Sequence, residues 1–379
     1  MKKKIFLLFT TLFFLFFILY FGSFFYLKDF HGLNNIELIK HKNQIVFIEK
    51  YSKRLHHLRH YLNKFVDVKK PETLLFTKSK YNNINNQKNI LFLGDSWVEQ
   101  MLVYQQSKNY IINYFKERKI NYYNAGISSY SPTITNIQYQ ILKNDFDLKP
   151  KIVVLYIDQT DFGDEICRYK KNKKFVDGKL YSVRDYLFTP RSISMSKIDM
   201  KYSSPFLKDI AQFNFYIEER FFLLINKFKK IFHNNKNIYG CDLRVLANYL
   251  VNPTTNDIEY FRNSTKDLID LLNNDEQVNQ ILIVTFPHRN HLQHVSNGNN
   301  YGDYNYSVED AVDYYISNNN SEKIIHLNFN EYLNKNRQLI SEKSFVPMDN
   351  ASHLNENPHS EIFTKKIINE IDKILNTNY

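Results

Sequence analysis

The chain is 379 residues long, 43% hydrophobic and 23% charged, a balance that sustains a packed core and excludes an intrinsically disordered chain. Its net charge of +11 is spread along the sequence, without the basic patch or motif that nucleic-acid binding requires, so no nucleic-acid partner is expected. Two cysteines, Cys167 and Cys241, lack the spacing of a zinc site or redox pair, and spacing alone does not say whether they join.

First in chain order, Lys2, Lys3 and Lys4 precede an uncharged run that opens at Ile5 and closes at Leu27, IFLLFTTLFFLFFILYFGSFFYL. At helical rise, residues 5–27 reach about 35 Å, enough to cross a hydrocarbon core. The expectation is an uncleaved transmembrane signal anchor with the lipid bilayer as its partner. The positive-inside bias then leaves residues 1–4 as a cytoplasmic tail and sends the remainder across as an extracytoplasmic domain. A cleaved signal peptide is the alternative; its apolar core would run only about 7–15 residues. Residues 28–87 read as a helical stalk and linker. Within them, 34–66 carry apolar residues at near-helical spacing, 67–87 form a polar connecting loop, and His56, His57 and His60 lie on a solvated helix face.

Five short β-like runs follow, 89–93 (NILFL), 120–123 (INYY), 152–157 (IVVLYI), 281–285 (ILIVT) and 323–327 (KIIHL). Helical patterns occupy 97–116, 133–143, 257–273, 308–317, 330–341 and 358–375. Continuously apolar strands suit a parallel sheet covered on both faces. Their alternation with helices predicts an α/β fold, a three-layer α/β/α sandwich with a five-stranded parallel sheet, over residues 88–379. Residues 163–250 break this rhythm and read as an insertion subdomain or lid. Ligands of such sheets bind beyond the carboxyl ends of the strands.

Ile90 to Gln100 reads ILFLGDSWVEQ and places Ser96 just past the first strand. Asp95 and Ser96 are favoured helix caps; the other reading makes Ser96 a nucleophile. A serine hydrolase needs a histidine to take the hydroxyl proton and a polar group to hold its tautomer. The segment FVPMDNASHLNENPHSEIF offers His353 in a polar loop, with Asp349 four residues upstream and Asn350 three. His359 falls inside the following helix and reads as a packing or capping residue.

GDS after the first strand, NAGISSYS after the second, an aspartate-bearing turn after the third and HLN near the C-terminus occur in that order. Together they resemble the SGNH/GDSL hydrolase family, over about 88–161 and 280–375. The resemblance implies a flavodoxin-like sheet, Ser96 as nucleophile, and the N–H groups of Ser96 and Gly126 as oxyanion donors. Two blocks depart from the family pattern. In YIDQTDFGDE, Asp161 matches the family aspartate but Thr160 stands where an asparagine donor is usual, with Gln159 as the neighbouring amide. Asn350 holds the slot of the family acid, and Asp349 is one residue further away, so either orients His353.

Two metal readings stand beside this one. Asp158, Asp161, Asp164 and Glu165 are clustered acids, and His288, His291 and His294 repeat every three residues. The first set lacks further ligands in its loop and the second lacks a helical pattern, so no metal and no cofactor is expected, and His288 reads as lining the pocket. The function expected is ester hydrolysis through an acyl-enzyme. Membrane-anchored relatives of this family act on O-acyl groups of surface polysaccharides, which implies a carbohydrate ester, often an O-acetyl group, as substrate. An O-acyltransferase using the same residues and a non-catalytic glycan-binding or assembly protein are the alternatives.

Overall fold

The computed structural model describes residues 2–27, 39, 41–59, 67, 69–79, 89–183, 191–232, 253–292, 295, 306–347, 349 and 352–377. The chain divides into two compact units, Met1–Val46 with Leu187–Lys236, and Phe47–Tyr186 with Asn237–Tyr379.

The larger unit holds eight described strands: β1 Thr77–Lys78, β2 Ile90–Leu93, β3 Tyr122–Asn124, β4 Ile152–Asp158, β5 Lys173–Val176, β6 Lys179–Val183, β7 Gln280–Phe286 and β8 Ile324–Asn328. Six form one sheet in the order β1-β3-β2-β4-β7-β8. The last five in that order run parallel, with Ile90 opposite Tyr122, Leu93 opposite Leu155, Asp158 opposite Phe286 and Thr285 opposite Asn328. β1 joins β3 antiparallel, Thr77 opposite Asn124. The sheet is therefore mixed and six-stranded, which corrects the five-stranded parallel sheet expected from sequence. The reason is local: β1 is only two residues, Thr77 and Lys78, too short for a strand pattern, and the apolar run beside it, Leu74 to Phe76, lies in and just after a 3-10 turn. Backbone pairing with the open edge of β3 makes it a strand, and Ser79 extends the contact through bonds with Tyr122 O and N. A short edge strand ending on a lysine is a common way to close a sheet against further pairing.

Alternate residues of the inner strands feed two cores. Ile152, Val154 and Tyr156 of β4 join Trp97, Phe115 and Phe363 on one face; Val153, Leu155 and Ile157 join Ile134, Phe162 and Leu268 on the other. Burial on both sides explains why these strands carry no polar alternation. The pattern over 97–116 is interrupted: helices Ser96–Val103 and Gln105–Arg118 meet at Tyr104, whose backbone is extended. Its hydroxyl donates to Leu354 O at 3.1 Å, a long-range contact that periodicity does not register.

Residues 52–59, read as stalk, also belong to this unit. Leu55 and Arg59 are buried, Val183 N donates to Arg54 O, and the His56 and His57 rings lie edge-on to Tyr169 and Tyr130. Burial pushes these imidazoles down to about 4 and about 3, so the pair is not the solvated face expected. His60 lies outside the described residues. Of the expected insertion 163–250, residues 163–183 continue into the antiparallel β5–β6 hairpin, and Leu187–Lys236 falls in the smaller unit. Cys167 is buried and disulfide-bonded; Cys241 lies outside the described residues.

In the smaller unit the N-terminal run forms the helix Lys2–Leu27, alongside helices Arg191–Lys201 and Pro205–Phe232. Among the described residues no helix is long and apolar enough to cross a membrane. This overturns the transmembrane anchor expected from Ile5 to Leu27 and the single-pass topology. Part of the apolar run has a protein partner. Tyr20 and Phe24 lie edge-on to Phe213 at 5.3 and 5.4 Å, Tyr20 donates to Asn214, and Phe24 is buried.

Candidate active site

The carboxyl end of β2 turns sharply at Gly94. Its φ of +148° and the 2.9 Å that a Cβ would leave to Tyr156 Cβ and Val98 Cγ2 make this a position for glycine. The next residue, Asp95, caps the helix Ser96–Val103, its Oδ1 accepting from Trp97 N at 2.9 Å. Capping and exposure of the hydroxyl thus coexist: Asp95 holds the turn, while Ser96 Oγ lies 2.6 Å from His353 Nε2 and 3.2 Å from Asp95 Oδ2. The hydroxyl and imidazole meet from positions 257 residues apart.

His353 sits in a stitched loop. Val346 N donates to His353 O and Asn355 N to Ser344 O, each at 2.8 Å, and Asn355 Nδ2 donates to the carbonyls of Lys343 and Phe345. Ser352 adopts φ +57°, a left-handed turn uncommon for a residue with a side chain. Asp349 Oδ2 then accepts from His353 N at 2.8 Å and lies 2.7 Å from His353 Nδ1. One carboxylate oxygen fixes both backbone and ring, leaving Nε2 directed at Ser96. Asn350 lies outside the described residues. His359, in contrast, is fully buried, with Nε2 3.2 Å from Trp97 O and Nδ1 3.1 Å from Ser107 Oγ. Burial pushes it down to about 3.

Gly126 packs against the first turn of the serine helix. A Cβ there would fall 2.4 Å from Glu99 N and 2.7 Å from Val98 C. Its N–H is engaged by Asn124 Oδ1 at 3.1 Å. The other two expected oxyanion donors have partners of their own. Thr160 Oγ1 donates to Asp158 Oδ1 at 2.7 Å. Gln159 is buried, donating through Nε2 to Tyr306 O and accepting at Oε1 from Val308 N. Asp161 closes a capping box with Asp158, and His288 caps a short helical turn, accepting from Asn290 N at Nδ1.

Beneath Ser96, Asp95, Asp158 and Asp161 are buried, and each brings a carboxylate oxygen within 4.8 Å of the others. Among the described residues this is the one acid or histidine grouping with metal-ligand spacing. Desolvation and mutual repulsion raise Asp95 and Asp161 well above the usual carboxylate range; desolvation raises Asp158 too, against the hydrogen bond from Thr160.

Arg59 and Asn124 join the site without having been singled out in the sequence. Arg59 is buried and donates to Gly126 O, Asn124 O, Asn124 Oδ1 and Thr73 O. Its surroundings, RLHHLRH, look like any basic helix; an arginine aligned with the apolar positions of that pattern was the one available signal. Asn124 stands two residues before Gly126, in YYNAG, where an amide at a strand end is a turn signal as readily as a site residue.

No protein family and no curated protein matches the chain. Two solved structures are similar to it in outline. An acetyl xylan esterase from the rumen bacterium Butyrivibrio proteoclasticus matches over 79% of this chain and 67% of its own, with 10% identity and a TM-score of 0.36. A gut microbial diltiazem-metabolizing enzyme matches over 66% of this chain and 38% of its own, with 9% identity and a TM-score of 0.30. Likenesses this distant carry no argument about fold or function, and the chemistry has to be read from the side chains.

Proposed function

We propose that the chain is a serine carboxylic-ester hydrolase of the SGNH/GDSL type, working through an acyl-enzyme. The observation that carries this reading is the continuous relay from Ser96 Oγ to His353 Nε2 at 2.6 Å and from His353 Nδ1 to Asp349 Oδ2 at 2.7 Å. In the first half-reaction Ser96 Oγ attacks the ester carbonyl as its proton passes to His353 Nε2. The imidazolium then protonates the leaving alcohol as the tetrahedral intermediate collapses. Water repeats the sequence on the acyl-enzyme, with His353 again as base, and releases the acid. Asp349 keeps the Nδ1–H tautomer and balances the imidazolium. The Ser96 N–H, at the first helical position, has no intrahelical carbonyl to bond; with the Gly126 N–H it forms the oxyanion site. Thr160 and Gln159 serve the walls of the site through the bonds they already make. The substrate class we assign is a carbohydrate O-acyl ester, following the family resemblance.

The test is hydrolysis of p-nitrophenyl acetate by the full chain, with labelling by a fluorophosphonate located by peptide mapping. Label on Ser96, with activity and labelling abolished in Ser96→Ala, is the expected result. A folded wild-type protein that neither turns over the ester nor takes the label at Ser96 overturns the reading. Release of acetate from an O-acetylated oligosaccharide, leaving the deacetylated sugar, then checks the substrate class.

A further inference from the structure

Asn124 Oδ1 is shared by two donors. Gly126 N–H reaches it at 3.1 Å and Arg59 Nη2 at 2.9 Å. In the resting site the Gly126 N–H is therefore occupied by an internal acceptor, and it must turn away to serve an oxyanion. The asparagine is itself anchored, its Nδ2 donating to Val98 O at 2.8 Å in the helix that carries Ser96. Arg59 does more than touch this oxygen. It also donates to Asn124 O at 2.8 Å and to Gly126 O at 2.9 and 3.1 Å, spanning the turn from β3 to the glycine. Burying a guanidinium on carbonyl oxygens is costly. Desolvation lowers it to about 10, with the nearby charge of Glu99 acting in the opposite direction, so it stays charged at neutral pH.

We propose that Arg59 is a positioning residue that makes the Gly126 N–H available to the oxyanion, because it keeps the Asn124 side-chain oxygen satisfied when that N–H leaves. The inference rests on the esterase reading above. A buried acceptor stripped of its only donor carries a desolvation penalty, whereas one that keeps a charged donor does not. With Arg59 in place, transfer of the N–H from Asn124 to the developing negative charge exchanges one hydrogen bond for a stronger one. Without it, the same transfer orphans Oδ1 at each turnover. The penalty falls on the transition state and not on substrate binding, so it enters kcat and leaves KM unchanged.

The experiment is a double-mutant cycle on p-nitrophenyl acetate hydrolysis, with Arg59→Met, Asn124→Ala and the pair, each checked for folding by thermal melting. Arg59→Met is expected to lower kcat by roughly 10- to 100-fold with KM unchanged. In the Asn124→Ala background, where no acceptor competes for the N–H, the same substitution is expected to cost kcat almost nothing. Asn124→Ala by itself supplies the reference kcat against which the pair is read. If Arg59→Met fails to fold, Arg59→Lys takes its place, since an ammonium cannot span the same oxygens. Equal losses in both backgrounds, or no loss in the folded single variant, each overturn the proposal while leaving the esterase standing. A wild type that takes no fluorophosphonate label at Ser96 overturns both.

Discussion

Replacing Gly126 by alanine offers the sharpest test of the site's geometry. The new Cβ would lie 2.4 Å from Glu99 N and 2.7 Å from Val98 C, and both neighbours are backbone atoms without a rotamer to yield. Glu99 N donates to Asp95 O at 3.1 Å within the turn that carries Ser96. Ordinary contact begins near 3.4 Å, so the two segments must part by about 1 Å, the difference between 3.4 and 2.4. Either the Gly126 loop moves, loosening Ile127 N from Gly94 O and the carbonyls from Arg59, or the serine turn moves. Both routes open the gap between the Ser96 hydroxyl and the Gly126 N–H. A displacement of that size costs about 100-fold in rate, and overpacking costs about 1–3 kcal/mol in stability. Steady-state hydrolysis of p-nitrophenyl acetate with thermal melting reads both quantities. Gly178→Ala is the control: that glycine has φ +73° and nothing within 4 Å of a Cβ, so some stability is lost and kcat is kept. A folded Gly126→Ala enzyme with kcat within about threefold of wild type, far from the expected change, would refute the reasoning.

Two further expectations follow from the same contacts. Asp349→Asn leaves a side chain of the same shape but removes the charge that balances the His353 imidazolium, and its NH2 can turn to Nδ1 and select the wrong tautomer, so kcat should fall by roughly 10⁴-fold; retention of more than a tenth of wild-type kcat would rule out Asp349 as the orienting acid. Asp164 is buried, and desolvation outweighs the Arg168 guanidinium 3.0 Å away, raising its carboxyl to about 7 from an ordinary 3.8. The folded chain thus holds this proton more tightly than the unfolded one, so the stabilisation is complete below 3.8 and is lost as pH rises through about 7. Melting temperatures followed across that window should decline more steeply for wild type than for Asp164→Asn, and parallel declines would refute the assignment.

Strands β2, β4 and β7 were legible because burial on both faces demands apolar residues along almost their whole length. Ser96 was legible for a related reason: a glycine and a helix cap at a strand end are local requirements written in adjacent residues. Asp349 and His353 lie within one short loop, so their partnership also left a local trace. Elsewhere the decisive contacts are distant in sequence. β1 exists because β3 has an edge to pair with, and Tyr104 breaks a helical pattern to reach Leu354. Tyr20 and Phe24 meet Phe213 about 190 residues later, and an apolar run reads the same whether its aromatic rings face another helix or lipid.

Sequence by itself determined which segments are buried on two sides and where a hydroxyl stands at the end of a strand, since backbone geometry and hydrophobic burial act over a few residues. Only the tertiary structure decided which imidazole meets that hydroxyl, which donors are already engaged, and that Arg59 lies under the Gly126 turn. Those outcomes depend on which groups lose their water together when the sheet and its covering segments pack.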